Sequence, residues 1–255
     1  MNPTERFSSR VENYRRYRPG YPTAMIDLVR RTARLSPGDR VADMGSGTGL
    51  FTRRLLEARL EVFAVEPNRE MRQAAEHDWG AWPGFHSVGA KAEETGLPDH
   101  HVQAITAAQA FHWFDRAAVR PEFGRILVPG QPVFLIWNER KLAGSPFQEQ
   151  YQALLATLGH EFEGVRSRAA EAEDDLRSFF APGTFEIARF DNPQRLSWEE
   201  LRGRFLSSSY VPLAEDPRHA GLLVELEAIF RRNQREGEVE FSQDANVYFG
   251  QIPPK

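Results

Sequence analysis

Residues 41–49 read Val-Ala-Asp-Met-Gly-Ser-Gly-Thr-Gly, and no other stretch limits the fold as strongly. An apolar run reaches Asp43, glycines then alternate at Gly45, Gly47 and Gly49, and Leu50 to Leu60 has helical composition. That order predicts a strand, a tight turn and a helix N-terminus. Glycine has no Cβ and tolerates positive φ, so the turn lets a ligand approach the backbone closely. The N–H groups at the helix start favour electron-rich ligand atoms.

The same rhythm continues along the chain. A helix is expected over 23–35, with Met25, Ile26, Val29 and Ala33 on one face. Strands are expected near 40–44, 61–66, 84–89, 102–107 and 132–137, and helices near 68–78 and 116–127. Pro37-Gly38 and Pro129-Gly130 mark turns. The run from Pro132 to Trp137 is continuously apolar, as in a strand buried on both faces. Alternating strands and helices predict an α/β fold with a doubly wound, parallel sheet. After residue 140 the rhythm changes. Residues 144–180 read as a charged helical elaboration and 185–190 as a strand. Ser197 and Glu200 form a capping box for a helix through about 209. Residues 219–232 are amphipathic, and 239–249 read as a closing strand. There is no internal repeat or long linker, so residues 1–255 read as a single domain.

Composition narrows the function. The chain has 255 residues, 41% of them hydrophobic, enough for one core. The formal net charge of −4 gives no case for a nucleic-acid partner. The absence of cysteine excludes disulfides, thiol catalysis and zinc–thiolate sites. No histidine has acidic partners at metal-ligand spacing, so no metal is expected. No segment is long and apolar enough for a membrane partner, and the first residues contain no apolar signal core. A cytoplasmic protein is expected, as a monomer or a homodimer.

Ligands of a parallel sheet bind at the carboxyl ends of its strands. A dinucleotide loop wants G-x-G-x-x-G, but here Leu50 holds the sixth position and Asp43 would repel a pyrophosphate. Asp43 suits a cationic ligand. Glu66 follows Gly45 at roughly the 20-residue offset at which a carboxylate accepts from ribose hydroxyls. Pro67 ends the strand and Asn68 is a good N-cap. The acid alone does not separate NAD from other ribose-containing cofactors; Asp43 and the glycine spacing do.

The pattern Asp43-x-Gly45-x-Gly47-x-Gly49 resembles motif I of the class I S-adenosylmethionine (SAM) dependent methyltransferases. The resemblance implies a mainly parallel, seven-stranded, Rossmann-like sheet and SAM as cofactor. It places the methionine end over Asp43, Gly45, Ser46, Gly47 and Gly49, the ribose at Glu66 and Pro67, and adenine beside Ala92 and Glu93. Lys91 stands where many members have an acid. Gln109-Ala-Phe-His-Trp-Phe-Asp115, Tyr14-x-x-Tyr17-Arg18-Pro19-x-Tyr21-Pro22, Trp137-Asn138 and Ser207-Ser-Ser-Tyr210 resemble a small-molecule subgroup that includes the trans-aconitate methyltransferase type. Gln131 stands in the turn where that subgroup usually has a second glycine.

The resemblance implies transfer of a methyl group to an O, N or carboxylate acceptor on a small molecule, a task of positioning and water exclusion. Residues 1–22 suit a lid, with Tyr14, Tyr17 and Tyr21 closing over cofactor and substrate near the positive sulfur. Gln109 is expected at the cofactor, and Trp113, Trp137 and Tyr210 at the substrate. His112 is a candidate general base, or an orienting group for a carboxylate substrate that needs no base. Arg18 and Arg140 predict an anionic substrate, because guanidinium groups bind carboxylates bidentately. An NAD-dependent oxidoreductase, or a SAM-binding protein without turnover, are the competing readings.

Overall fold

The computed structural model describes residues 11–159 and 172–252. Seven strands form one sheet: β1 (Arg40–Met44), β2 (Glu61–Val65), β3 (Phe85–Val88), β4 (Ala104–Ala108), β5 (Pro132–Arg140), β6 (Phe185–Asp191) and β9 (Gln243–Gln251). Their order is β3-β2-β1-β4-β5-β9-β6. The first five are parallel, whereas β9 runs antiparallel between β5 and β6. An all-parallel dinucleotide fold has the order 3-2-1-4-5-6 instead. The expected seven-stranded, mainly parallel, doubly wound sheet is therefore present.

Side-chain alternation explains the layers. Along β5, Val133, Leu135 and Trp137 join one core cluster while Phe134 and Ile136 join the other. The first face carries α5 (Arg116–Ile126) and α7 (Ala172–Phe180), and the second carries α2 (Thr23–Thr32) and α3 (Leu50–Glu57). Helix α4 (Arg69–Trp79) follows β2 and packs on β3; its cap is Asn68, which accepts from the Met71 N–H at 2.8 Å. A fully buried aromatic or aliphatic side chain contributes about 1.5–3 kcal/mol, so the two-sided burial of β4 and β5 anchors the sheet.

A third core cluster caps the carboxyl end of the sheet. It joins α6 (Pro146–Ala156), α8 (Trp198–Leu206), α9 (Arg218–Asn233) and a hairpin-like pair of strands, β7 (Gln194–Ser197) and β8 (Glu238–Phe241). The capping box at Ser197 is present: its hydroxyl accepts from Glu200 N–H, and the Glu200 carboxylate accepts from Ser197 N–H at 2.8 Å. The single helical elaboration expected over 144–180 is divided. Helix α6 belongs to the cap, α7 packs under the sheet, and residues 160–171 lie outside the described residues. The closing strand also divides: β8 ends at Phe241 and β9 begins at Gln243 in a different sheet.

Helix α1 (Val11–Tyr17) ties the cap to α4. Arg15 pairs with Asp78 at the end of α4, and the Tyr17 hydroxyl donates to Glu199 of α8 at 2.8 Å. The Tyr17 ring lies flat on Gly203, where no Cβ fits. Gly203→Ala is expected to lift α1 from α8 at a cost of about 1–3 kcal/mol. Tryptic cleavage at Arg15 and Arg16 should then accelerate by roughly tenfold, while the unfolding temperature of the rest stays near wild type.

Candidate active site

The loop after β1 is built backwards from β2. The N–H groups of Gly45 and Ser46 both donate to the Val65 carbonyl, at 2.8 and 3.1 Å. Gly45 has φ +64°, and a Cβ there would lie 2.6 Å from the Ala110 Cβ. Gly47 has φ +58° and only open space where a Cβ would sit. Its N–H donates to Glu66 Oε2 at 2.8 Å, and Asn68 N–H donates to Oε1 at 2.8 Å. Two backbone donors thus fix one carboxylate at the end of β2. Burial pushes the Glu66 carboxyl above its ordinary range, and these two bonds, with Arg72, pull it partly back.

Beside this carboxylate opens a cavity of about 700 Å³. Gly45, Gly47, Glu66 and Pro67 line one part of it, and Ala92, Glu93, Asp115 and Ala118 line another. Trp113, Phe114, Met71 and Gln109 also line it. Glu93 accepts from the Asp115 N–H at 2.8 Å, and Asp115 caps α5. The loop behind Ala92 and Glu93 is pinned to α5, because Glu122 accepts from both the N–H and the hydroxyl of Thr95, at 2.8 and 2.6 Å. Gln109 sits at φ +58° and donates from Nε2 to the Asn138 carbonyl at 3.1 Å. The cavity therefore spans the carboxyl ends of β1, β2 and β4, where ligands of such sheets bind.

Several expected residues lie elsewhere. Asp43 is fully buried below the loop: it shares a sheet face with Val41, so its carboxylate meets α3. It accepts from the Thr52 hydroxyl at 2.6 Å and the Thr106 hydroxyl at 2.8 Å and does not reach the cavity wall. Ser46 and Gly49 support the loop rather than line the cavity, Gly49 lying against Trp79. Tyr21 is core, edge-on to Phe51 at 5.0 Å. Trp137 is also core, between Phe111 and Tyr248, because it continues the Val133–Leu135 face. Trp113, expected at the substrate, lines the same cavity as Ala92. Tyr17 holds α1 to α8. His112 is half-buried on a short 3₁₀ turn, Phe111–Trp113, with its ring 4.8 Å from that of Trp113, outside the cavity wall. The Tyr14 side chain lies outside the described residues.

Arg18, Arg140 and Tyr210 do gather, at the junction of sheet and cap. Arg18 Nη2 donates to the Ser207 carbonyl at 3.1 Å, and the Arg140 guanidinium lies 5.6 Å from the Tyr151 ring. Burial pushes the Tyr210 hydroxyl up, but Arg140, Ser208, Arg18 and Arg204 outweigh it and bring it below its ordinary range. The sequence reading missed Tyr151 and Arg204 here, and Met71, Phe114 and Asp115 at the cavity. Arg204 had a signal: it falls on the helical stripe of Leu201 and Phe205, both buried.

Known proteins bear on this geometry. Residues 42–135 match the methyltransferase domain family. That span runs from β1 into β5 and contains the whole cavity wall. An uncharacterized methyltransferase of Mycobacterium tuberculosis is 43% identical over 135 residues, 52% of each chain. The match thus spans about half the length of the curated relatives of this kind. A protein assigned as a type II methyltransferase from Anaeromyxobacter dehalogenans has the same fold, with a TM-score of 0.67 and 23% identity over 94% of this chain and all of that one. A SAM-dependent methyltransferase from Geobacter sulfurreducens, in complex with S-adenosyl-L-homocysteine, superposes with a TM-score of 0.53 at 15% identity over 98% of both chains. The architecture is the Rossmann-like methyltransferase fold. Among the described residues no helix is long and apolar enough to cross a membrane.

Proposed function

We propose that this protein is a SAM-dependent methyltransferase that acts on a small, anionic molecule at an O, N or carboxylate acceptor. The observation that carries the reading is the Glu66 carboxylate, fixed by Gly47 and Asn68 N–H groups at the edge of the 700 Å³ cavity. Each Glu66 oxygen accepts one backbone bond, which leaves lone pairs for two vicinal ribose hydroxyls. The open space at Gly47 suits close approach by a ligand backbone. Glu93 and the Ala92 main chain offer an acceptor and a donor for an adenine edge, and Trp113 and Phe114 exclude water there.

SAM, when bound, supplies a methyl group already activated on a sulfonium. The protein's own task is to hold the acceptor in line and keep water out. Arg18 and Arg140, beside the carboxyl end of β5, support an anionic acceptor, and the likeness to the trans-aconitate type points the same way. With the half-buried His112 outside the cavity wall, acceptors that need no general base fit best. A cytoplasmic location completes the reading.

The test is S-adenosylhomocysteine formation with small carboxylic and hydroxy acids and their amides. Acids should be methylated and amides not. Arg140→Ala should lower kcat/KM for the acid by about 100-fold, the scale of a lost charge-assisted pair. Equal rates in Arg18→Ala, Arg140→Ala and wild type would overturn the anionic acceptor.

A further inference from the structure

At the junction of sheet and cap, Arg204 is buried, with 7% of its surface exposed. Its guanidinium lies 3.8 Å from the centre of the Phe241 ring. It donates to Gln243 Oε1 at 2.5 Å and to Gln194. Both acceptors are neutral amides, and among the described residues no carboxylate forms an ion pair with it. The titratable groups that act on it are Tyr151 and Tyr210, neutral in their phenol forms, and Arg18 and Arg140, cations of like sign. Gln243 is 1% exposed, and its Nε2 amide has no hydrogen-bond partner. A buried cation among cations, beside an orphaned N–H donor, is a poor arrangement for stability alone.

We infer that Arg204 and the Gln243 amide anchor an oxyanion group, carboxylate or phosphate, of the acceptor molecule, completed by Arg18, Arg140, Tyr151 and Tyr210. A guanidinium with its face covered by an aromatic ring still presents N–H edges for bidentate binding. Gln243 adds a neutral donor. Burial pushes the Tyr151 hydroxyl up to about 12, so it remains an O–H donor at neutral pH. Burial pulls Arg204 down to about 9, which leaves it cationic at neutral pH and receptive to a counter-charge.

Topology connects this anchor to the cavity. Arg140 pairs with Gln243 across β5 and β9, and Asn138, two residues earlier on β5, holds Gln109 of the cavity wall. An acceptor gripped at Arg204 would therefore reach toward the cavity past Gln109. The role as acceptor anchor rests on the proposed methyl transfer; the anion site itself does not.

The test is thermal unfolding of the ligand-free chain with malonate, inorganic phosphate or malonamide, each at about 5 mM, low enough to limit general salt effects. Malonate or phosphate should raise the wild-type unfolding temperature by about 3–5 °C, and malonamide should not. The larger of the two shifts names the oxyanion. Arg204→Gln should lose most of that shift while keeping S-adenosylhomocysteine affinity within about threefold of wild type. Gln243→Leu, which keeps Arg204, should lose about half of it and serves if the arginine variant does not fold. No anion shift in wild type, or an equal shift in wild type and a folded variant, would overturn the site. No arm depends on turnover, so a failure here is distinct from a failure of the methyltransferase reading.

Discussion

Glu66→Ala should weaken S-adenosylhomocysteine binding by at least about 100-fold. Hydrogen bonds to a charged group contribute roughly 1.5–3 kcal/mol each, and the variant removes two acceptors from a ribose. It also strands the Gly47 and Asn68 N–H groups, each now bonded to this carboxylate at 2.8 Å. The Gly47 loop then loses one of the contacts that fix it relative to β2, the Gly45 and Ser46 bonds to the Val65 carbonyl remaining. Glu66→Gln retains one carbonyl oxygen, so a milder loss of about tenfold is expected. Titration calorimetry of the three proteins checks this. Equal affinities would remove Glu66 from the site.

Asp43→Asn should stabilise the ligand-free protein and weaken cofactor binding at the same time. Burial is the largest influence on the Asp43 carboxyl and lifts it to about 6, although the Thr52 and Thr106 hydroxyls lower it. Near pH 4 and below, the native state holds this proton. Between about pH 4 and 6 the unfolded chain has released it and the native state has not, so stability falls as pH rises. Above about pH 6 the penalty is constant, about 3 kcal/mol. Asparagine removes that penalty and still offers each threonine hydroxyl a partner. The unfolding temperature at pH 7 should rise by several degrees, and the decline between pH 4 and 6 should flatten. The ionised carboxylate, just below the loop, favours the ammonium group of a methionine-type end above it, so affinity for S-adenosylhomocysteine should fall by roughly tenfold. Unchanged stability across that pH range would contradict the account of Asp43.

The sheet and its cavity edge were legible because strand and helix periods differ and because glycine, proline and capping residues mark the boundaries. Glu66, Pro67 and Gln109 stand at the cavity because they follow β2 and β4, and Ala92 and Glu93 because they lie in the loop after β3. Asp43 and Trp137 were expected at the ligand because they stand near the carboxyl ends of their strands. Period two puts Asp43 on the face of Val41, and Trp137 on that of Val133 and Leu135, so both turn inward. Tyr17 and Tyr21 resisted prediction for another reason. An aromatic side chain closes a lid or packs a helix equally well, and only tertiary contacts with Gly203 and Phe51 decide between them. The cap was least legible. Its strands β7 and β8 have four residues each, and their pairing bridges the whole of α8 and α9.

The most direct measurement is calorimetric titration of the wild-type protein with S-adenosylhomocysteine, with NADH in parallel. The account predicts binding at about micromolar strength for S-adenosylhomocysteine and none for NADH. NADH binding without a response to S-adenosylhomocysteine would contradict it and would assign the Glu66 cavity to a dinucleotide.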